Sequence, residues 1–426
     1  MNILMIAFES GRWGPSRLPK ALSQAGFQVA ALCPSDNALA QTRFLDRHFP
    51  LPDVRSSRSF ERRLVQAMRE WRPDLIVPAD ERTVACLHAL VRRTGSGGHS
   101  RLTQGERDTV VASLGDPTQL DAMLLKSRTQ ALARQIGVLV PEGMSVASSD
   151  AAIEAAERIG FPVYVKESFG WAGQGVSLCQ DRAAVATAMT ATKPAGFRML
   201  RKGLKRLLHR DWYPTDTEIG VQRAIEGTPA MFCAVAVSGR MLAGFAGVAQ
   251  QTTSTTGPSS VVWIGADAAM AKASAAMIEA LGATGFIGFD FMIETGTGAA
   301  YLLECNPRPI QVCHLGPRVG VDLCHALADG MRGDTASPGL AAGSETIALF
   351  PQEWQRDPES IGHSDMALDI PWDDPPLLRA MVAVSPESAS PPRLDRPKMR
   401  IPKRKTLPFR DSRHAAIWEA QSEVTP

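Results

Sequence analysis

Two segments of the 426-residue sequence carry residue types and spacings suited to chemistry. The first is Val163-Tyr-Val-Lys166-Glu-Ser-Phe-Gly170-Trp-Ala-Gly173-Gln-Gly175-Val176. A strand-like run delivers a lysine, and three glycines follow at once. Glycines let backbone N–H groups approach an anion closely and permit the dihedrals of a phosphate-holding concavity. The lysine adds a mobile positive charge. The order G-x-x-G-x-G is not the dinucleotide fingerprint, and no G-K-[ST] follows as in a P-loop. Taken alone, the segment also reads as a hairpin turn.

The second segment decides between these readings. Phe289-Asp290-Phe291 falls on one expected strand, and Leu302-Leu-Glu304-Cys-Asn306-Pro-Arg308-Pro309 ends the next. The two strands, Phe286 to Ile293 and Ala300 to Glu304, are expected to form a hairpin across Thr295 to Gly298. Asp290 and Glu304 then face one another across the ladder. Facing carboxylates repel unless a cation sits between them, and magnesium favours carboxylates together with phosphate oxygens and water. Asn306, two residues beyond Glu304, can add a carbonyl oxygen on the same side. Arg308 can grip a carboxylate or a transferring phosphoryl group. The plainer alternative is a salt-bridged strand end.

The elements that must hold these groups are legible from patterning. Ile3 to Phe8, Phe27 to Cys33 and Leu75 to Val77 read as buried strands alternating with helices over Ser16 to Ala25 and Arg58 to Trp71, a pattern of parallel sheets. Ligands bind beyond the carboxyl ends of such strands, which brings in Arg12, Asp80 and Glu81; each also reads as a solvated loop charge. Thr94 to Gly105 reads as a connection. Thr118 to Ile136 predicts one long helix closed by Gly137. Asp150 to Ile159 predicts a helix capped by Ser149 or Asp150 and ended by Gly160. Phe161 to Lys166, Glu218 to Ile225 and Met231 to Val237 read as strands, and Ala269 to Leu281 as a helix. Arg201 to Arg210 is a basic insertion read as a solvated face. After about Gly330 the chain turns rich in Pro, Asp and Ser, and from roughly Pro391 it is basic and weakly periodic.

Bulk properties narrow the function class. A 44% hydrophobic and 21% charged composition fits a globular chain, and a net charge of +2 gives no reason to expect nucleic acid. The seven cysteines form no C-x-x-C and no zinc spacing, which predicts reduced thiols. No run reaches the length of a membrane span, and the N-terminus lacks a basic leader, so the expectation is a cytoplasmic protein.

Over roughly Asp116 to Asp322 the chain resembles an ATP-grasp protein of the carboxylate–amine ligase branch, related to carbamoyl-phosphate synthetase and biotin carboxylase. The Glu-x-Asn-Pro-Arg run at Glu304 to Arg308, downstream of the Lys166 glycine loop, carries the resemblance. It implies an α/β and α+β architecture: a Rossmann-like pre-ATP-grasp domain over residues 1–110, a two-lobed ATP-grasp domain over 111–330 with a flexible lobe at about 140–220, and a C-terminal extension over 331–426. It also implies ATP and Mg2+ as cofactors, with Mn2+ as a substitute. Lys126, Lys166 and Ser168 would meet the phosphates beneath a lid formed by Gly170, Gly173 and Gly175. Gln222, Arg223, Ala224 and Ile225 would form the adenine hinge, with backbone groups of Arg223 and Ile225 reading the base. Asp290, Glu304 and Asn306 would hold the metal. Arg308 and Lys166 would stabilise the transferred phosphoryl group. The family commonly has Glu where this chain has Gln222, and the ribose acceptor after Gly227 is not identified.

The implied function is an ATP-dependent ligase that joins a small-molecule carboxylate to an amine through an acyl phosphate, with no nucleic-acid or membrane partner and with room for a homodimer. The alternatives are a kinase or carboxylase of the same fold, or a catalytically silent nucleotide-binding regulator. His314 could face substrate, but a structural role fits it better.

Overall fold

A computed structural model describes residues 1–10, 13–52, 57–95, 100–168, 175–192, 218–254, 257–333, 337–359 and 366–383. Arg12, Gly170, Gly173, the basic run Arg201 to Arg210 and the stretch from Pro391 lie outside the described residues. The described chain is built on three sheets.

The first is parallel, in the order β3-β2-β1-β4, with β1 Asn2–Ile6, β2 Gln28–Cys33, β3 Arg47–Pro50 and β4 Leu75–Pro78. Its central strands are near-continuous apolar runs because both faces are covered: Ile3, Leu4, Met5 and Ile6 are all fully buried. The chain leaves β1 towards β2 and returns on the other side at β4. The carboxyl ends of β1 and β4 therefore flank a topological switch point. Asp80 sits there but is neither solvated nor open to a ligand. It is fully buried and accepts hydrogen bonds from Glu9 N (2.9 Å), Thr83 N (2.8 Å) and Thr83 Oγ1 (2.9 Å), joining the two strand ends and capping the helix Glu81–Gly95.

The second sheet has the order β5-β8-β6-β7, with β5 Gly143–Val146, β6 Val163–Glu167, β7 Val176–Cys179 and β8 Ile219–Arg223. One face packs Val163, Val165, Val221 and Cys179 against the helices Ser149–Ile159 and Arg182–Thr192. The other face carries the alternate residues Lys166, Gly220 and Gln222, because side chains alternate along a strand. The N-cap of helix Ser149–Ile159 is Ser148, whose Oγ accepts from Ala151 N at 3.2 Å, one residue before the expected cap.

The third sheet is mostly antiparallel: β13-β12-β9-β10-β11-β15-β16, with β14 beside β10. Its strands are β9 Gly227–Val237, β10 Arg240–Thr252, β11 Ser259–Gly265, β12 Gly285–Glu294, β13 Ala300–Asn306, β14 Gly339–Leu340, β15 Glu345–Leu349 and β16 Ala367–Asp369. The helix Ala268–Leu281, capped by Asp267 and ended by left-handed Gly282 (φ 58°), packs on it. Fully buried Phe232, Phe289 and Phe291 fill the contact. β15 pairs with β11, so this sheet runs across residue 330.

The expected helix over Thr118 to Ile136 is broken. Leu125 is extended (φ −106°, ψ 119°) between the helices Leu120–Leu124 and Lys126–Gln135. Local propensity favours continuity here, and tertiary bonds override it. Lys126 N donates to the Ser168 carbonyl at 2.8 Å, and Thr129 Oγ1 donates to the Ala122 carbonyl at 2.7 Å. The break places Lys126 at the start of a helix, against the end of the strand that carries Lys166.

Candidate active site

The hairpin of β12 and β13 pairs Asp290 with Glu304 and Gly288 with Asn306, and the register shifts just after Asp290. Such a shift bends the strand and re-aims its side chains. Gly288 makes room for the segment beyond Asn306: a Cβ there would lie 2.5 Å from Ile310 Cγ2, so a larger residue would displace the stretch that carries Arg308.

The two carboxylates do not ionise alike. Burial, then the neighbouring Glu304, pushes Asp290 up to about 8. Burial also opposes the charge of Glu304, but the Lys126 ammonium, 2.7 Å from Glu304 Oε2, holds that carboxyl below its usual range. Burial and the neighbouring carboxylate thus disfavour the charge of Asp290, and a metal ion between the two would offset that repulsion. With the Asn306 amide the donor set is all oxygen and has few carboxylates. This suits magnesium, which completes its shell with phosphate and water, better than a metal held wholly by protein. Among the described residues no three His, Cys, Asp or Glu side chains converge as a self-sufficient metal cluster.

The lysines carry surplus positive charge. Burial and the adjacent Lys126 push Lys166 down to about 8, while Glu304 keeps Lys126 protonated against its own burial. Two ammonium groups share one ionised carboxylate, which is the electrostatic setting for an incoming polyanion. A cleft of about 360 Å³ is lined by Lys126, Gln130, Arg134, Lys166, Ser168 and Gln222 among others. A second cleft of about 440 Å³ is lined by Lys126, Glu304, Asn306, Arg308 and Glu81, so Lys126 stands at the junction of the two.

Ser168 fixes the end of β6. Its Oγ lies 2.7 Å from Ser127 Oγ, and its carbonyl receives the Lys126 N–H. Gly175 (φ 68°) returns the chain to β7, its carbonyl accepting from Glu167 N at 3.1 Å. At the other end, Gln222 is buried and its Nε2 has no hydrogen-bond partner. The Arg223 N–H is engaged by the Glu142 carbonyl at 2.8 Å, and the Ala224 N–H by the Pro162 carbonyl at 3.1 Å. The Arg223 guanidinium turns away from the cleft to Tyr301 Oη (3.1 Å) and Glu294 Oε1 (3.3 Å). Ile225 is buried next to them.

Arg308 is held on three sides. It donates to the Glu81 carboxylate, to Asn306 Oδ1 at 3.2 Å and to the Pro309 carbonyl at 3.0 Å. Burial disfavours its charge, yet Glu81 raises its pKa further. Glu81 is the residue that sequence patterning leaves as a loop charge. It begins a helix at the switch point of the first sheet and crosses to the third. Gln130 and Arg134 belong to no motif, although their spacing of four and eight residues from Lys126 puts all three on one helical face. His314 lies elsewhere: its Nε2 sits 2.9 Å from both Asp369 oxygens, and Asp369 is bound by Arg17 at 2.9 Å, a buried tie between distant parts of the chain.

Comparison with known proteins places this geometry. Residues 126–325 match the family model described as carbamoyl-phosphate synthase L chain, ATP binding domain. The carbamoyl phosphate synthase large chain of Gemmatimonas aurantiaca is 26% identical over 238 residues, covering 55% of this chain and 21% of that protein. The chain thus spans about a fifth of the length of such relatives. Among solved structures, the biotin carboxylase domain dimer of Hydrogenobacter thermophilus 2-oxoglutarate carboxylase, in complex with MgADP, ADP and bicarbonate, superposes with a TM-score of 0.57 at 17% identity, covering 81% of this chain and 73% of that one. The L-amino acid ligase of Bacillus licheniformis superposes with a TM-score of 0.52 at 15% identity, covering 78% of this chain and 74% of that one. At these identities the structural likeness is one of fold.

Proposed function

We propose that the protein, whose residues 126–325 match the carbamoyl-phosphate synthase L chain ATP binding domain, is an ATP- and magnesium-dependent ligase joining a small-molecule carboxylate to an amine. The observation that carries this reading is the facing pair Asp290 and Glu304, with Asn306 and Arg308 beyond it and Lys126 against it.

In this reading Asp290, Glu304 and Asn306 would hold magnesium, which would supply positive charge against the terminal phosphates. Lys126 and Lys166 would bind the phosphate chain, with Ser168 and Gly175 at its side. An oxygen of the substrate carboxylate attacks the γ-phosphorus, ADP leaves, and an acyl phosphate forms. Arg308, positioned by Glu81, steadies the charge on the transferred group. The amine nitrogen then attacks the acyl carbon, phosphate departs with the bonding pair, and an amide remains. Positioning and charge neutralisation supply the catalysis, without a covalent enzyme intermediate. The state of Cys305 supports that last point. Burial, with Glu304 and Asp290 nearby, raises its thiol far above the usual range, so it offers no thiolate to accept the acyl group.

The free state of all seven cysteines suits a reducing compartment, and the cytoplasm is the setting proposed. No helix among the described residues is long and apolar enough to cross a membrane. The test is ADP and phosphate release across a panel of carboxylic acids with amino acids as amines. An amide product seen by mass spectrometry, lost in Glu304→Ala, is the expected result. A phosphorylated or carboxylated product would replace the ligase reading with a kinase or carboxylase. Tight ATP binding with no turnover on any pair would favour a regulator.

A further inference from the structure

We propose that Asp369 is a positioning residue for the site: it clamps the far end of the arm that carries Arg308. The inference rests on the proposed ligase site and extends it to residues 366–383, although the family match ends at residue 325.

The arm runs from Arg308 through Gln311 into the helical turn Cys313–Val319, which carries His314. Three distant parts of the chain meet on it. Glu81, beyond the carboxyl end of β4, takes the Arg308 guanidinium. The short helix Trp13–Ser16 presses on the middle of the arm, where Gly14 leaves no room for a Cβ against Gln311 Cα. Asp369, the last residue of β16, holds the far end, with both carboxylate oxygens 2.9 Å from His314 Nε2. The same residue reaches back to the start of the chain. Arg17 Nη2 lies 2.9 Å from Asp369 Oδ1, and Arg17 Nη1 donates to the Asp369 carbonyl at 2.9 Å. One aspartate thus ties the arm to the helices that follow β1.

The tie is built from buried charge. Asp369 and His314 are 7% and 8% exposed. Burial works against the Asp369 charge, but His314 and Arg17 outweigh it and hold that carboxyl below its usual range. Displacing the arm would strip a partner from a buried carboxylate, so the pairing resists that motion. A second carboxylate supplies a contrast. Asp374 is buried too and takes the Thr42 hydroxyl and the Arg43 N–H, the latter at 3.2 Å, yet it bonds no residue of the arm. It starts the helix Pro375–Ala383, whose Leu377, Leu378 and Met381 pack in one cluster with Ala38. Asp374 fastens the end of the described chain, whereas Asp369 fastens the arm.

The test compares Asp369→Asn with Asp374→Asn in the full chain by hydrogen–deuterium exchange and by calorimetric titration of Mg-ADP. Asparagine keeps the size of the side chain and removes the charge. Asp369→Asn is expected to speed amide exchange over residues 308–319 by about tenfold or more, with β6 and β12 unchanged. Its Mg-ADP affinity should stay within about twofold of wild type. On an acid and amine pair found active, kcat should fall roughly ten- to a hundredfold while the KM for ATP holds. Asp374→Asn should speed exchange over residues 375–383 and leave 308–319 and kcat as in wild type. His314→Ala cuts the same tie from the arm and should reproduce the exchange change, which keeps the test decisive if Asp369→Asn does not fold. Wild-type exchange over 308–319 in either variant of the tie would overturn the proposal, as would an equal rise in Asp374→Asn or an unchanged kcat in Asp369→Asn. Failure of the wild type to bind Mg-ADP would instead overturn the nucleotide reading, and the exchange comparison would still decide the clamp.

Discussion

The contact between Glu81 and Arg308 gives a prediction that tests whether the N-terminal sheet helps build the site. The side chains are 16% and 11% exposed, so the pair is nearly buried. Removing one partner of a buried pair costs about 3–5 kcal/mol because the other charge is left behind. The residual exposure and the two remaining Arg308 hydrogen bonds, to Asn306 and Pro309, point to the lower end. Glu81→Ala and Arg308→Ala should therefore each lower the unfolding free energy by about 3 kcal/mol. The double variant leaves no unpaired charge and should lose roughly 4 kcal/mol rather than 6, a coupling of about 2 kcal/mol. Urea unfolding of the four proteins at pH 7 measures this cycle. Additive losses, with coupling below about 0.5 kcal/mol, would refute the reasoning. Glu81→Gln keeps an acceptor for Arg308 and should retain ATP affinity while lowering kcat.

Other outcomes follow from the same geometry. Asp290→Asn removes a carboxylate charge that burial and Glu304 disfavour and should leave unfolding nearly unchanged, while the Mg2+ dependence of ATP binding drops by roughly tenfold or more; retention of that dependence would count against Asp290 as a ligand. Gly288→Ala should destabilise by about 1–3 kcal/mol and raise the KM for the carboxylate, since its Cβ would press Ile310 and the Arg308 segment; unaltered kinetics would argue against that crowding. His88 is fully buried, and burial, with Arg92 nearby, pushes its pKa down to about 3. Its folded pKa lies below the unfolded value of about 6.5, so the stability it contributes is complete above pH 6.5 and is lost as pH falls towards 3. Relative to His88→Leu, the wild type should lose about 2 kcal/mol between pH 7 and pH 5; parallel pH profiles would contradict this.

Much of the site was legible in the sequence because strand periodicity is two. Asp290, Glu304, Asn306 and Arg308 fall at alternate positions of a hairpin whose turn residues are explicit, so their juxtaposition needed no tertiary knowledge. Lys166 was read at the end of a strand from Phe161, and it stands on the strand Val163–Glu167. What escaped was fixed by contacts between distant parts of the chain. The break at Leu125 has no local signal, since the residues around it are good helix formers; it exists because Ser168 captures the Lys126 N–H. Glu81 looked like a loop charge because its partner is 227 residues away. Asp80 looked the same, although its carboxylate holds two strand ends that only the folded sheet brings together. β15 and β16 arise in a stretch rich in Pro, Asp and Ser, where pairing with β11 compensates for weak local patterning.

The central claim is that the lysine cleft and the carboxylate hairpin form one Mg-ATP site. Calorimetric titration of ATP with magnesium present, and again with the metal removed by EDTA, tests it most directly. Binding should weaken at least about tenfold without magnesium. Glu304→Ala should abolish that difference, and Lys166→Ala should weaken binding in both conditions. An ATP affinity indifferent to magnesium and to both substitutions would contradict the claim.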